Sequence, residues 1–168
     1  MKKYLIASCF LLLTACSNEL DTSQLTESKM SEEGFIKFYN APSLEVAIDA
    51  LPYEVNLPEE LPFKTEGFKS LGITDIGGKG RNPDAQFMAT GDQENNLLLS
   101  TTMGNIDYAD TTPEEITLNN GYQAQYTLPN HLDVIVKDIT YSYTLNMSGL
   151  EENELKDELL KLAEQLAE

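Results

Sequence analysis

The sequence predicts an α+β domain: a mostly antiparallel sheet with a short N-terminal helix and an amphipathic C-terminal helix packed on one face. Three observations predict this class. Short runs of alternating apolar and polar residues follow one another through the second half of the chain, as antiparallel strands with one buried face do. Asn120-Gly121 between two such runs is a strong hairpin signal. The end of the chain instead repeats leucine at helical spacing.

The chain begins with a segment typical of an export signal. Lys2 and Lys3 precede an apolar run, and Leu13-Thr14-Ala15-Cys16 closes that run with small residues before a cysteine. This is the layout of a secretory signal peptide with cysteine at the first mature position, and it resembles a bacterial lipoprotein signal. The resemblance implies cleavage after Ala15, a diacylglyceryl group on the Cys16 thiol, and fatty acylation, such as palmitate, of the new amino terminus.

Two other interpretations of this segment are weaker. An uncleaved membrane helix needs roughly 20 apolar residues, whereas the apolar stretch from Tyr4 to Cys16 has 13. An ordinary signal peptide with a coincidental cysteine does not account for a cysteine at the cleavage position followed at once by a polar segment. We therefore expect a protein of the cell membrane, anchored through lipid on its extracytoplasmic side.

After the signal peptide of residues 1–15, the lipidated cysteine and a flexible acidic tether are predicted over residues 16–34. The tether reads SNELDTSQLTESKMSEEG, without sustained periodicity. As a random coil of about 18 residues it would reach roughly 23 Å. Residues 35–168 then form a single extracytoplasmic domain, since about 135 residues suffice for one core.

Charge and cysteine content restrict the partners. Removing Lys2 and Lys3 with the signal takes the net charge from −17 to −19. So acidic a surface is a poor match for nucleic acid, whose phosphates are neutralised by lysine and arginine, and anionic headgroups repel it. Cys9 is lost with the signal and Cys16 carries lipid, so no thiol remains for a disulfide or a cysteine metal site.

The elements of the first half follow from capping and turn residues. A first strand is expected near residues 35–39, and Ser43 is a candidate N-cap for a short helix ending before Pro52. A strand at residues 53–56 and an extended connector containing Pro58 and Pro62 come next. Further strands are predicted at 66–75, 86–90 and 96–103.

The second half is predicted as two hairpins and a helix. Strands at 116–119 and 122–128 flank Asn120-Gly121, and strands at 132–136 and 139–147 flank Lys137-Asp138. Ile139, Tyr141, Tyr143, Leu145 and Met147 share one parity and predict an apolar sheet face. A helix is expected from about 151 to 167, with its leucine stripe covering that face. A coiled coil is the alternative, with fewer than three heptads.

Three strings of the C-terminal half carry a resemblance: ITLNNGYQAQYT, LDVIVKDITYSYTLNMSG and ENELKDELLKLAEQLAE. They resemble a domain of unknown function near the C-termini of Gram-positive lipoproteins and anti-sigma-factor-like proteins. The counterparts of its motifs are Gly121-Tyr122, Tyr143-Thr144-Leu145 and residues 158–164, and Val55 to Pro62 is similar to its opening segment. The family's tryptophan in the penultimate strand has no counterpart here. The resemblance covers roughly residues 43–168 and implies an extracytoplasmic α+β domain without a catalytic residue to transfer.

Residues that could carry chemistry are few. His131 is the single histidine, sits in a predicted loop and has no local nucleophile signature, and zinc would find only carboxylates beside it. Calcium would need the oxygen ligands of Asp107, Asp110, Glu114 and Glu115, whose spacing is not that of an EF-hand. The loop Gly77-Gly78-Lys79-Gly80-Arg81 has glycine amides and cations that suit a phosphate, but lacks the P-loop order.

The functional expectation is a non-enzymatic extracytoplasmic binding or interaction module, with no cofactor and no metal. Its partners are the membrane, through Cys16, and an extracytoplasmic protein or ligand that the sequence does not identify. Two alternatives stay open: an envelope hydrolase using paired carboxylates, and a structural protein of the envelope or of sporulation. An apolar groove beside Tyr141 and Tyr143 would favour binding, and converging buried acids would favour catalysis. The oligomeric state is open.

Overall fold

The computed structural model describes residues 19–28, 35–106 and 112–166. These residues form one antiparallel sheet of nine strands with two helices, so the predicted class, mostly antiparallel sheet with helices, is confirmed at this level. In chain order the elements are β1 Thr26–Ser28, β2 Ile36–Asn40, α1 Leu44–Asp49, β3 Thr65–Ile76, β4 Pro83–Gly91, β5 Asn96–Met103, β6 Glu114–Thr117, β7 Gln123–Thr127, β8 His131–Val136, β9 Ile139–Asn146 and α2 Glu152–Ala163.

The strands lie in the spatial order β1-β2-β3-β4-β5-β9-β8-β7-β6. Strands β1 to β5 form one meander and β6 to β9 a second, because each strand pairs with the next along the chain within these groups. The two meanders are joined by the pairing of β5 with β9. The two hairpins predicted in the second half of the chain are present, and β4 also pairs with β5. The strand ends differ from the predicted ends by up to three residues.

The apolar side of the sheet is here named the covered face. Its residues follow from the register, because residues opposite each other on neighbouring strands point to the same side. One row of it crosses eight strands: Tyr39, Ile73, Ala85, Thr101, Tyr141, Val134, Ala124 and Ile116. All but Ile116 are less than 9% exposed, so this face holds the core.

Helix α1 begins where the sequence predicts. The Ser43 hydroxyl accepts a hydrogen bond from the Val46 amide at 3.2 Å, which satisfies one of the unpaired donors of the first turn. Ala47 is fully buried, in one cluster with Tyr39, Ile73 and Phe87.

Helix α2 is shorter than predicted. It ends at Ala163, and the residues after it turn back through a hydrogen bond from the Leu166 amide to the Ala163 carbonyl. Leu159, Leu162 and Ala163 are buried in one cluster with residues of β5, β8 and β9. The leucine stripe therefore marks the buried side of the helix.

The connector between α1 and β3 contains no strand, so the predicted strand at residues 53–56 is wrong. Side chains, instead of a neighbouring strand, form hydrogen bonds with the backbone of the connector. The Tyr141 hydroxyl lies 3.2 Å from the Glu54 carbonyl oxygen and 3.3 Å from the Asn56 amide nitrogen. The Glu60 backbone makes two hydrogen bonds, of 2.9 and 2.8 Å, with the Gln165 side-chain amide. The connector thus crosses the sheet by side-chain anchoring instead of strand pairing.

The N-terminal segment departs from the tether prediction. Residues 19–28 are packed on the domain: Leu20 is 8% exposed and belongs to the cluster of Tyr39 and Ile73, and β1 pairs with β2 at the sheet edge. The folded part therefore begins before residue 35. The polar composition of this segment conceals its apolar anchors: Leu20 is buried, and Leu25 packs partly buried against the same cluster.

Tyr143 places a polar group in the core without a partner. Its hydroxyl oxygen is buried and has no hydrogen-bond partner among the described residues. Burial, with a smaller contribution from nearby Tyr141, raises the pKa of Tyr143 far above the ordinary value for tyrosine. Tyr53, whose hydroxyl lies 2.9 Å from the Pro83 carbonyl oxygen, also has its pKa raised by burial.

We predict that Tyr143→Phe leaves the free energy of unfolding at pH 7 unchanged or raises it by about 1 kcal/mol, because an unsatisfied buried hydroxyl is removed. Above pH ~10 a tyrosine ionises in the unfolded chain but not when its folded pKa is raised, so stability falls by up to ~1.4 kcal/mol per pH unit. Urea unfolding at pH 7 to 11 measures both effects, and the variant should show the shallower alkaline fall.

Tyr53→Phe is the contrasting variant for this test. It should flatten the alkaline fall but also lower stability at pH 7, because the Pro83 and Thr101 carbonyls lose a hydroxyl near them. A Tyr143→Phe protein destabilised as strongly as Tyr53→Phe at pH 7 would contradict the account of Tyr143.

Candidate functional site

The other side of the sheet is here named the polar face. A row of polar residues crosses it on six neighbouring strands, each residue opposite the next in the register: Gln86, Ser100, Ser142, Asp133, Gln125 and Glu115. Strands in a sheet lie about 4.8 Å apart, so the row extends over roughly 24 Å. None of these six residues belongs to either buried apolar cluster. They form a continuous row of hydrogen-bonding side chains, here named the polar row.

The polar row results from the alternation that the sequence predicts. In β9, Tyr141, Tyr143 and Leu145 are at most 1% exposed on the covered face, which confirms the predicted apolar parity. Thr140 and Ser142, which point to the other face, are also buried, at 1% and 7% exposed. The sequence predicts a half-buried strand, but β9 lies inside the sheet between β5 and β8. There the Thr140 hydroxyl donates to the Gly104 carbonyl and the Ser142 hydroxyl donates to Asp133.

Asp133 is the centre of the row. The carboxylate is 6% exposed, and each of its oxygens has a partner. The Ser142 hydroxyl donates to Asp133 Oδ1, and His131 Nε2 lies 3.1 Å from Asp133 Oδ2. The other ring nitrogen of His131, Nδ1, lies 3.0 Å from Thr144 Oγ1. The four side chains form one hydrogen-bonded cluster, which orders the centre of the polar face.

This cluster contains the residue types of a catalytic triad in an order that does not support nucleophilic catalysis. In a triad the histidine bonds to the nucleophile and the carboxylate bonds to the far side of the histidine. Here the carboxylate stands between Ser142 and His131 and accepts from the serine itself. His131 is not a loop residue as predicted but the first residue of β8.

The ends of the polar row are more accessible than its centre. Gln86 and Glu115 are exposed and Gln125 is half-buried, with its amide donating to Glu115 Oε1 at 2.9 Å. A shallow hollow of about 390 Å³ opens near the edge of the same face, with Lys64, Lys69, Met88 and Asp92 in its lining. A partner could contact exposed amides and carboxylates on either side of an ordered centre.

The candidate calcium ligands do not assemble into a described site. Asp107 and Asp110 lie outside the described residues. Glu114 and Glu115 are consecutive in β6, so they point to opposite faces of the sheet, and Glu114 forms an ion pair of 2.6 Å with Lys156. Over residues 19–28, 35–106 and 112–166 no three histidine, cysteine or acidic side chains are grouped as metal ligands would be.

The glycine-rich loop forms the tight turn between β3 and β4. Its Gly80 amide donates to Asp75 Oδ2 at 2.8 Å, and its Gly77 amide donates to the Phe35 carbonyl at 2.7 Å. Asp75 is only 2% exposed, so a carboxylate of the protein already takes the amide that a phosphate would use. Gly80 has φ of +66°, and a Cβ there would come within 3.1 Å of the Leu20 nitrogen. The loop therefore serves as the contact for the N-terminal segment.

Neither an apolar groove beside Tyr141 and Tyr143 nor a pair of converging buried acids is present among the described residues. Tyr141 and Tyr143 lie buried under the connector and α2, so the described residues leave no apolar groove beside their strand. The buried acids Asp75 and Asp133 do not converge. Asp75 belongs to the covered face, two residues from Ile73, and Asp133 to the polar face.

The predicted lipidation site, Cys16, lies outside the described residues, as does the rest of the signal segment. Within the described part of the chain no helix is long and apolar enough to cross a membrane.

Comparison with known proteins identified no relative. No family model matches the chain, and neither the curated proteins nor the solved structures contain a match.

We predict that Asp133→Ala lowers the free energy of unfolding by about 2 kcal/mol, because Ser142 loses its buried acceptor and His131 loses a partner. Gln86→Ala, at an exposed position of the same row, should change it by less than ~0.5 kcal/mol. Chemical denaturation of both variants measures the difference. Equal effects would show that the Asp133 cluster does not order the face.

Proposed function

We propose that this protein is a lipid-anchored, non-enzymatic binding module on the extracytoplasmic side of the cell membrane. The anchor is the lipidated Cys16, supported by the charged, apolar and small-residue pattern of residues 1–15. The suggested resemblance to a C-terminal domain of Gram-positive lipoproteins agrees with this location. The binding partner is an extracytoplasmic molecule recognised mainly by hydrogen bonds.

The observation that carries the binding proposal is the unequal use of the two sheet faces. We infer that both helices and the connector cover the same face: residues of α1, the connector and α2 share clusters with covered-face residues of both meanders. The six residues of the polar row belong to neither cluster. Gln86 and Glu115 at the two ends of the row are exposed and accessible to a partner, whereas Ser142 and Asp133 at its centre are buried.

The chemistry of that surface favours recognition over hydrolysis. Asp133 is held by Ser142 and His131 at the centre of the row, so it orders the surface instead of facing a second carboxylate. Amide and hydroxyl groups of the row can each donate or accept hydrogen bonds. The acidic net charge of the chain, −17 with its signal, supports a partner other than nucleic acid.

The anchor is tested by localisation. We expect Cys16→Ala to move the protein from the membrane fraction to the soluble extracytoplasmic fraction or to leave its signal unprocessed, because the acceptor of the lipid is lost. Cys9→Ala, within the signal's apolar run, is the matched control and should stay in the membrane fraction. Fractionation with metabolic labelling by a fatty-acid analogue measures both. Labelled, processed and membrane-bound Cys16→Ala protein would refute the anchor.

The binding face is tested by site-specific photo-crosslinking in intact cells. A photoreactive residue at Gln86 samples the polar face, and one at Asp157 samples the exposed side of α2. We expect a discrete crosslinked product from Gln86 and none from Asp157, with its mass identifying the partner. Equal products from both positions, or products from Asp157 alone, would contradict the assignment of the polar face.

A further inference from the structure

We propose that the domain is held with one defined end against the lipid bilayer, and that Phe35, Ile36 and Ile76 enter the bilayer interface there. This end, here named the turn end, consists of the β3–β4 turn, the start of β2 and the docked residues Glu19 to Asp21. The inference rests on the proposed lipidation of Cys16 and adds to it an orientation and a second contact with the membrane.

The N-terminal segment is attached to the turn end by backbone hydrogen bonds and a buried side chain. The Leu20 amide donates to the Gly80 carbonyl at 2.7 Å, and the Asp21 amide donates to the Ala50 carbonyl at 2.8 Å. The Leu20 side chain is buried, and Glu19 Oε1 lies 3.3 Å from Arg81 Nε. Two backbone hydrogen bonds and one buried side chain thus hold the chain to the turn end from residue 19 onward.

The chain between the proposed lipid anchor and the docked segment is short. Only Ser17 and Asn18 separate Cys16 from Glu19. An extended chain spans at most ~3.6 Å per residue, so the Cα atoms of Cys16 and Glu19 are at most about 11 Å apart. A coil of about 18 residues would instead have reached roughly 23 Å and left the domain free to turn. The short link requires the turn end to face the bilayer in which the lipid is inserted.

The turn end also carries an exposed apolar surface. Phe35, Ile36 and Ile76 are 64%, 38% and 53% exposed. They are adjacent, because Ile36 is opposite Ile76 in the register and the Gly77 amide donates to the Phe35 carbonyl. A group of exposed large apolar side chains marks an interaction surface. The bilayer interface is the apolar partner that the 11 Å link brings to it.

The charged residues at the two ends of the domain differ. Residues 77–82 of the turn contain Lys79 and Arg81 and no acid, and Asp75 beneath them is buried. Lys37 and Lys137 add cations at the same end, and Glu19, Asp21, Asp84 and Asp138 add acids, so its charge is mixed. The opposite end, where β4 meets β5 and α2 begins, carries a concentration of acids: Glu66, Asp92, Glu94, Glu151, Glu152 and Glu154. This orientation keeps the acidic end away from anionic headgroups.

The orientation also sets the distance between the polar row and the membrane surface. Each strand lies along the direction between the turn end and the acidic end. In β4, Gln86 lies three residues after Pro83, which is at the turn end. At about 3.3 Å per residue the row stands roughly 10 Å above the turn end. A partner of the polar face is therefore bound close to the membrane surface and alongside it.

Tryptophan fluorescence in vesicles tests the orientation, because the chain contains no tryptophan. Phe35→Trp places the probe at the turn end, and Leu128→Trp places it on a 63% exposed apolar residue at the opposite end. The lipidated protein is reconstituted into phosphatidylcholine vesicles with a fraction of phosphatidylglycerol and of brominated phosphatidylcholine. We expect the Phe35→Trp emission to shift to shorter wavelength and to be quenched severalfold more than that of Leu128→Trp. Equal quenching at both positions overturns the proposal.

A second preparation separates the orientation from the lipidation. The chain from Cys16 onward contains all described elements and has Cys16 as its single thiol, so it can be coupled to a maleimide-headgroup lipid in the same vesicles. Quenching of Phe35→Trp here supports the orientation even if cells do not lipidate Cys16. A flexible glycine-serine insertion of about 20 residues between Asn18 and Glu19 should reduce that quenching. Undiminished quenching would mean that the short link does not set the orientation.

Discussion

The pairing of β5 with β9 is the interaction on which the rest of the structure depends. Eight register pairs, from Asn96 opposite Asn146 to Met103 opposite Ile139, join the two meanders into one sheet. The apolar core also continues across the β5–β9 pairing, since Leu97 and Leu99 are buried in one cluster with Tyr143 and Leu145. Helix α2 follows β9 directly, so its burial also requires this pairing. Loss of the β5–β9 pair would leave two half-covered meanders, each with a new open edge.

The register of that pair also produces the polar row. Ser100 and Ser142 face each other across β5 and β9, and Asp133 then takes its place beside Ser142 on β8. Because side chains alternate with a period of two, a slip of one residue would bring apolar residues to this face and hydroxyls into the core. The polar row and the core are therefore two consequences of one register, so a change of register would alter both.

The N-terminal segment is docked on the domain from residue 19 onward. A flexible tether would let the domain sample many orientations relative to the preceding residues, whereas a docked segment removes that freedom. Leu20 and the Gly80 turn provide the docked arrangement, at a position where a Cβ on residue 80 would crowd the Leu20 backbone. The buried Asp75 carboxylate supports the same turn through the Gly80 amide. A buried acid at the turn thus has a structural role.

Local patterns were sufficient for part of this fold. The Ser43 cap, the hairpin at Asn120-Gly121, the apolar parity of β9 and the leucine side of α2 each depend on residues close in sequence, so their period or turn chemistry identifies them. The strand predicted at residues 53–56 failed because prolines and side-chain anchors replaced strand pairing, which no local pattern reports.

The class of the domain, the parity of its main strands and the candidate anchor cysteine could be predicted from local sequence patterns. The strand order, the docking of Leu20 and the alignment of the polar row could be read only from the folded chain; the row consists of Gln86, Ser100, Ser142, Asp133, Gln125 and Glu115. The two groups of features differ in the sequence separation of the residues that produce them. Periodicity and capping are set by neighbours within a few residues, whereas these three features depend on contacts between segments far apart in the chain, whose register is chosen by the packing of the whole core.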